Sequence, residues 1–201
     1  FITNNINNLK NYKPRKPGPL RLIFLSRISP MKNLKFLLEV LTKINTKIEF
    51  SIYGPKSDSK YWQECFVLIQ RLSSNIKIDI HGEILHKEVL SIFNKYDLFV
   101  FPTLGENFGH VIFESLQAGT PVLVSDKTPW LDNNMGGLHL ISLDQDKWVK
   151  IITEWSKLDS QKLLQKRKET FEYLINLNHN NKSLNQNKIL FNSVLNENII
   201  V

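Results

Sequence analysis

Apolar residues occur along this chain in two distinct patterns. Short apolar runs of strand length lie at 22–26, 48–53, 76–80, 98–101, 121–125 and, more weakly, 138–141. Between the runs, apolar side chains recur at helical spacing, for example at Leu34, Leu37, Leu38 and Leu41. The two spacings predict strands alternating with helices. The helices are expected over 33–44 with Asn33 as the cap, over 58–72, over 86–95, and from the turn at 108–109 to Gly119.

Alternating strands and helices with short connections favour a parallel sheet wound right-handed. We therefore predict a Rossmann-like α/β fold with helices on both faces of the sheet. Residues 1–19, rich in Asn, Lys and Pro, predict a linker. Residues 20–158 then form the α/β domain, and 159–201 form a C-terminal helical extension. In the common strand order 3-2-1-4-5-6, strands 1 and 4 are neighbours, and ligands bind outside their carboxyl ends.

Candidate chemistry concentrates in residues 101–126, which include the end of the fourth predicted strand. Glu106 and Glu114 lie on either side of the turn Phe108-Gly109, which opens a helix. Unpaired backbone N–H groups at a helix N-terminus can hold an anion. Carboxylates beside them can accept hydrogen bonds from sugar hydroxyls. Phosphate together with sugar hydroxyls indicates a nucleotide sugar as the ligand.

Two cations, Arg27 and Lys32, follow the first predicted strand. They suit a diphosphate, because arginine can bind it with two parallel hydrogen bonds and lysine supplies a point charge. The predicted strand order places both cations opposite the turn at 106–109, across one crevice. Trp130 is predicted to be a packing residue. The His, Cys and carboxylate positions show no spacing typical of a metal site.

The composition is that of a globular domain. Apolar residues make up 42% of the chain and charged residues 22%, and the apolar runs are too short for a membrane helix. The single Cys65 leaves no internal disulfide and favours a reducing compartment, so a cytoplasmic location is expected. The chain starts at Phe1 and shows no signal-peptide pattern, which we interpret as an excised domain.

The net charge of +7 is unevenly distributed. It divides into +4 over residues 1–20, zero over 21–160 and +3 over 161–201. The basic ends can be solvated surface, or they can lean on the anionic inner face of a membrane. A nucleic-acid partner is not expected, because no basic stripe is interleaved with aromatic residues.

The segment beginning Pro102 and Glu106-Asn-Phe-Gly109 and continuing through Glu114 to Gly119-Thr-Pro-Val122 resembles a known signature. It is the E-x7-E motif of retaining glycosyltransferases with the GT-B fold, family 4, also called glycosyltransferase group 1. The segment from Arg27 to Lys32 resembles that family's loop for the donor diphosphate. The resemblance covers residues 20–158 and implies the C-terminal, donor-binding half of a GT-B fold.

The resemblance also implies roles for individual residues. Arg27 and Lys32 hold the diphosphate, Glu114 binds the ribose, and Glu106 binds the transferred sugar. Backbone groups of the turn contact phosphates or sugar, and backbone near Ile84 meets the nucleobase. The turn is formed by Asn107, Phe108, Gly109 and His110. His110 either contacts the sugar or caps the helix, and the residues leave both readings open.

The implied reaction transfers a sugar from a nucleoside diphosphate donor to an acceptor hydroxyl with retention. Glu106, Arg27 and Lys32 are then the catalytic residues, and no metal or cofactor is required. The acceptor, a glycan or a lipid-linked molecule at a membrane surface, would bind an N-terminal domain that this chain lacks. We therefore expect weak donor binding and little turnover. The alternatives are a nucleotide-sugar epimerase and a non-catalytic nucleotide-sugar-binding module; base, sugar, linkage and oligomeric state stay open.

Overall fold

The computed structural model describes residues 14–131 and 136–179, which form one six-stranded sheet with helices on both faces. All five strand pairings are parallel, in the order β3-β2-β1-β4-β5-β6. The strands are β1 Leu20–Leu25, β2 Ile48–Tyr53, β3 Ile76–Gly82, β4 Leu98–Phe101, β5 Val122–Ser125 and β6 Leu138–Ile141. The helices are α1 Leu34–Thr42, α2 Ser59–Ile69, α3 Val89–Phe93, α4 His110–Gln117, α5 Gln145–Ser156 and α6 Ser160–His179. The Rossmann-like fold class and the strand order expected from the sequence are confirmed.

The centre of the sheet is buried on both faces. Every residue of β4 and β5 is buried, which explains why these strands are continuous apolar runs without polar alternation. The edge strand β3 differs, because buried, half-buried and exposed residues mix along it. Burial at the centre positions the ends of β1, β4 and β5 firmly, and the loops that follow these strands form the site described below.

The register opens a crevice between β1 and β4. The recorded pairs between these two strands are Leu22 with Leu98 and Ile23 with Phe99. Beyond them β4 pairs on its other side with β5, up to Phe101 opposite Val124. The carboxyl ends of β1 and β4 therefore separate, as expected at the switch point of a doubly wound sheet.

Three helix predictions need correction. The helix expected over 86–95 is a 3₁₀ turn, His86–Glu88, followed by the short α3. Asn33 precedes α1 but does not cap it with its side chain. It has a left-handed backbone, with φ of 59°, and its side-chain amide donates to the Pro102 carbonyl at 3.0 Å. The α2 helix ends at Ile69 rather than near residue 72, and the Asp58 carboxylate caps its start at the Tyr61 N–H.

The last described helix, α6, packs against the α/β core. Leu163, Phe171, Tyr173 and Leu174 are buried. A Cβ atom at Gly119, where α4 has just ended, would lie 2.3 Å from the Phe171 ring, so only glycine permits this contact. The predicted boundary at residues 158 and 159 stays a prediction, and the polar helices expected beyond residue 179 lie outside the described residues. Within the part of the chain that the structure describes, no helix is both long and apolar enough to cross a membrane.

Candidate functional site

A cavity of about 670 Å³ opens at the carboxyl ends of β1, β4 and β5. The loops that follow these three strands line it. Its lining residues are Arg27, Met31, Lys32, Gly105, Glu106, Asn107, Phe108, Gly109, His110 and Lys127. The structure thus brings seven of the nine residues expected at the donor site into one cavity. The other two, Ile84 and Glu114, do not line it.

The turn at the start of α4 requires a glycine. Gly109 has φ of 78°, in the left-handed region, and a Cβ atom there would lie 2.8 Å from the Ile112 side chain. The Gly109 carbonyl accepts from the Ile112 N–H at 2.8 Å and thereby starts the helix. The first N–H groups of a helix have no acceptor within it. Those of α4 begin beside the cavity, because Gly109 and His110 both line it.

An ion pair crosses the cavity from the loop after β1 to the turn. The ammonium group of Lys32 donates to the carboxylate of Glu106, and each side chain is only 13% exposed. The Lys32 nitrogen also lies 5.7 Å from the centre of the Phe101 ring. This pair fixes the direction of the Glu106 carboxylate and leaves its second oxygen as an acceptor for a ligand.

Arg27 differs from Lys32 because it is exposed and lines the same cavity without an ion pair within residues 14–131 and 136–179. Its loop is held by backbone bonds from Ser26 to Tyr53 and from Ile28 to Pro55. The close approach of Gly54 makes this possible, since a Cβ atom there would lie 2.0 Å from the Ser26 carbonyl oxygen. The guanidinium is therefore attached to a fixed loop and available to an anion.

Glu114 lies on α4, one helical turn beyond the residues that line the cavity. Its carboxylate is 3.2 Å from Nδ1 of His86, and its side chain is 18% exposed. Burial raises the pKa of Glu114 above the ordinary carboxyl range, while His86 acts in the opposite direction. His86 belongs to the segment that follows β3, and Ile84, half-buried against the core, belongs to the same segment. The residues expected to meet ribose and nucleobase thus lie on the β3 side of the turn.

Sequence reasoning missed three residues of the cavity: Met31, Gly105 and Lys127. Lys127 follows β5, so the rule that ligands bind at carboxyl ends of strands contained the signal for it. The Glu106 N–H donates to the Lys127 carbonyl at 3.3 Å. The prediction that Trp130 packs is in keeping with its position, because its indole N–H donates to the Phe108 carbonyl at 2.5 Å.

His110 is the residue of the turn at which α4 begins. The His110 ring lies 5.0 Å from the Phe108 ring, and the residue is exposed at the cavity. Gly109, not His110, occupies the N-cap position of α4, so the capping reading of His110 is wrong, and the sugar reading stays a prediction. Within the described ranges, no group of three or more His, Cys, Asp and Glu side chains is arranged to hold a metal ion.

Among curated proteins, those similar to the chain include two from streptococci. It is 23% identical over 143 residues to the GtfA subunit of UDP-N-acetylglucosamine–peptide N-acetylglucosaminyltransferase from Streptococcus agalactiae. It is 26% identical over 132 residues to alpha-monoglucosyldiacylglycerol synthase from Streptococcus pneumoniae. These matches cover 68% and 64% of this chain, but the chain spans only 27% and 29% of the two relatives.

Solved structures with the same fold include glycosyltransferases of the GT-B type. HepE from Anabaena, in complex with UDP and glucose, superposes with a TM-score of 0.67 at 19% identity, over 77% of this chain and 43% of that one. The catalytic domain of cholesterol-alpha-glucosyltransferase from Helicobacter pylori superposes with a TM-score of 0.64 at 16% identity. That match covers 80% of this chain and 99% of the other.

The family model for glycosyl transferases group 1 matches residues 5–172, a span that contains every residue of the cavity. The sheet order, the cavity after β1, β4 and β5, and this match agree with one another. The chain therefore belongs to the glycosyl transferases group 1 family.

Proposed function

We propose that this chain is the donor-binding half of a retaining glycosyltransferase, which transfers a sugar from a nucleoside diphosphate sugar to an acceptor hydroxyl. The observation that carries the proposal is that Arg27, Lys32, Glu106 and the start of α4 all line a single cavity. Membership of the family supports it. So does the superposition on HepE, whose structure holds UDP and glucose.

Each part of the donor has a matching group. The diphosphate meets the Arg27 guanidinium and the N–H groups at the start of α4. When the bond between the sugar and the diphosphate breaks, the electron pair leaves with the diphosphate, and these positive groups stabilise the developing charge. They are the part of the catalytic machinery that this chain supplies.

Glu106 positions the sugar in this proposal and does not attack it. In place of the diphosphate contact expected from the sequence, we assign Lys32 to Glu106: its ammonium group holds the Glu106 carboxylate, neutralises it and fixes its orientation. A carboxylate in such a pair accepts hydrogen bonds from sugar hydroxyls but is a poor nucleophile. We assign the ribose to Glu114 and the nucleobase to backbone near Ile84, because both lie on the β3 side of the turn.

The decisive experiment is ligand-detected NMR with the chain and a panel of nucleosides, nucleoside diphosphates and nucleotide sugars. We expect one nucleoside diphosphate and its sugar to bind, and the matching nucleoside without phosphates to bind far more weakly. Absence of binding by every diphosphate in the panel would contradict the proposal.

The chain alone should bind the donor without transferring its sugar. It spans about a quarter of the curated relatives it matches, and this proposal places the acceptor site in an upstream half. Closing two halves around donor and acceptor expels water and completes such a site. Transfer should appear once the upstream half is restored. Transfer by the isolated chain at the full rate would contradict this division, and conversion of the donor sugar to its epimer would identify an epimerase instead.

For the acceptor we propose a glycan or a lipid-linked molecule at the inner face of a membrane. The basic ends of the chain and the lipid in the name of one relative, alpha-monoglucosyldiacylglycerol synthase, support this choice. One basic residue of the N-terminal segment does not contribute, since Arg15 is paired with Asp97. Co-sedimentation should show stronger binding to anionic than to neutral vesicles, and equal binding to both would contradict the proposal.

A further inference from the structure

Lys127 lies on the opposite side of the cavity from the two cations expected at the diphosphate. In the sheet, β4 is flanked by β1 on one side and β5 on the other. The loops after these strands therefore stand in a row, with the turn at Glu106 in the middle. Arg27 and Lys32 come from the β1 side and Lys127 from the β5 side. Cations thus flank the turn on both sides.

The backbone of Lys127 is fixed relative to that turn by two hydrogen bonds. The Lys127 carbonyl accepts from the Glu106 N–H at 3.3 Å. Three residues later, the Trp130 indole N–H donates to the Phe108 carbonyl at 2.5 Å. The segment after β5 is therefore attached to the residues that form the proposed phosphate site, and the Lys127 side chain begins from a defined position.

The Lys127 side chain is only weakly held. Its ammonium group lies 3.2 Å from the Asp126 carboxylate, and the two side chains are 55% and 38% exposed. Ion pairs this exposed contribute little, about 0–1 kcal/mol, so a ligand can displace Asp126 at small cost. Lys32 is different, because it and Glu106 are both largely buried in their pair.

The charges of the side chains that line the cavity indicate a role for Lys127. Its lining holds three permanent cations, Arg27, Lys32 and Lys127, and one carboxylate, Glu106. Once Glu106 has neutralised Lys32, Arg27 and Lys127 are the cations left to meet an anion. A diphosphate diester carries one negative charge on each phosphate. We infer that Lys127 is a further diphosphate-binding residue, which completes a clamp with Arg27; this inference rests on the proposed function.

The test uses a matched pair of variants, Lys127→Ala and Lys77→Ala. Lys77 also belongs to an exposed pair, 3.5 Å from Asp79, but it lies on the edge strand β3 and lines no part of the cavity. Lys127→Ala should weaken binding of the nucleoside diphosphate about 5- to 20-fold, and Lys127→Arg should restore most of the affinity. Lys77→Ala should leave it unchanged, and thermal melting should show both variants folded. Equal affinities for Lys127→Ala and the parent would overturn the inference.

A double-mutant cycle with Asp126→Asn separates direct contact from general attraction. If Asp126 competes with the diphosphate for Lys127, Asp126→Asn should tighten binding about twofold to fivefold, and this gain should vanish in combination with Lys127→Ala. If Lys127→Ala does not weaken binding in the Asp126→Asn background, Lys127 does not contact the ligand, and the inference is overturned. If the parent binds no nucleoside diphosphate, the proposed function fails, and this inference fails with it. Loss of binding in Arg27→Ala but not in Lys127→Ala would remove the inference alone.

Discussion

The two ends of strand β1 carry the same residue type in opposite circumstances. At the amino end, the Arg21 guanidinium donates to the Asp97 carboxylate at 3.0 Å, and its backbone N–H donates to the other oxygen at 2.9 Å. Arg15 approaches the same carboxylate at 3.0 Å. At the carboxyl end, Arg27 is exposed and makes no ion pair within residues 14–131 and 136–179.

A third arginine near the amino end of β1 also has its hydrogen-bond partners within the fold. Arg167 of α6 donates to the backbone carbonyls of Asn94, at 3.0 Å, and Tyr96. These arginines and Asp97 line a cavity of about 210 Å³, in which the protein itself supplies hydrogen-bond partners. Removing a partner of a charge that is paired within the fold destabilises the fold. A charge on a fixed loop without such partners is available to a ligand, and this contrast separates structure from function along one strand.

The largest expected effect is a loss of stability when the charge cluster at the amino end of β1 is broken. The Asp97 side chain is only 2% exposed and accepts from two arginines. Asp97→Ala should reduce the free energy of unfolding by about 2–3 kcal/mol, because two arginine side chains, 18% and 30% exposed, and the Arg21 backbone N–H lose their acceptor. Urea denaturation measures this loss. The exposed Asp79→Ala serves as the control, with an expected change within about 0.5 kcal/mol. Equal losses for the two variants would show that the Asp97 cluster does not stabilise the fold.

A smaller effect should divide the roles of the two glutamates at the other end. Glu114→Gln should weaken binding of both the free diphosphate and the nucleotide sugar, by about 1–2 kcal/mol, because we assign Glu114 to the ribose that both ligands contain. Glu106→Gln should weaken the nucleotide sugar and spare the free diphosphate. Calorimetric titration of both ligands checks this. If the two variants affect both ligands alike, the assignment of sugar and ribose is wrong.

The smallest effect concerns stability and pH. Burial raises the pKa of Glu114, so its ionised form costs stability above that pKa, and the cost is relieved as the pH falls through it. Glu114→Gln removes the cost, so the variant should melt slightly higher than the parent at neutral pH. The two melting temperatures should converge toward about pH 4. Melting scans across this range check the sign. A variant that melts lower at neutral pH would show that the ionised carboxylate is stabilising.

Donor binding by the parent should weaken over the same acid range. A protonated Glu114 loses acceptor capacity for the ribose hydroxyls. Because its pKa is raised, the loss should begin at a higher pH than an ordinary carboxyl group would give. The Glu114→Gln variant has no titratable group at this position, so its affinity for the donor should not show this loss at acid pH. If parent and variant lose donor affinity over the same pH range, the loss is due to a group other than Glu114.

The sequence predicted what depends on local pattern. The bounds of β2, β4 and β6 agree with the apolar runs, because a buried strand needs an apolar run that turn residues terminate. The crevice between β1 and β4 was predicted from the alternation of strands and helices and from the rule that ligands bind outside the carboxyl ends of the strands. The sequence could not pair Arg15 with Asp97, which are 82 residues apart, because that contact depends on how the residues before β1 meet the sheet.

The sequence predicted the candidate site to about the same extent as the fold. The turn and its glycine were visible in the order of residues, since a left-handed turn before a helix favours glycine. Lys127 was missed although it follows β5, because the rule about strand ends predicts an edge of the sheet and not a residue, and an Asp-Lys pair after a strand is ordinary in sequence. The hydrogen bond from the Glu106 N–H to the Lys127 carbonyl, between the loops after the adjacent strands β4 and β5, holds Lys127 at the cavity that it lines. Asn33 failed as a cap for the same reason, since the Pro102 carbonyl was a partner that local sequence does not reveal.

Arg27 is proposed to bind a ligand, whereas Arg21 is proposed to stabilise the fold. The most direct test measures both the affinity for the nucleoside diphosphate and the free energy of unfolding in Arg21→Ala and Arg27→Ala. We predict that Arg27→Ala loses about 1.5–3 kcal/mol of binding with stability unchanged. Arg21→Ala should lose about 1–3 kcal/mol of stability with affinity unchanged in the folded protein. The account is contradicted if Arg27→Ala binds the diphosphate as tightly as the parent, or if Arg21→Ala weakens that binding as much as Arg27→Ala does.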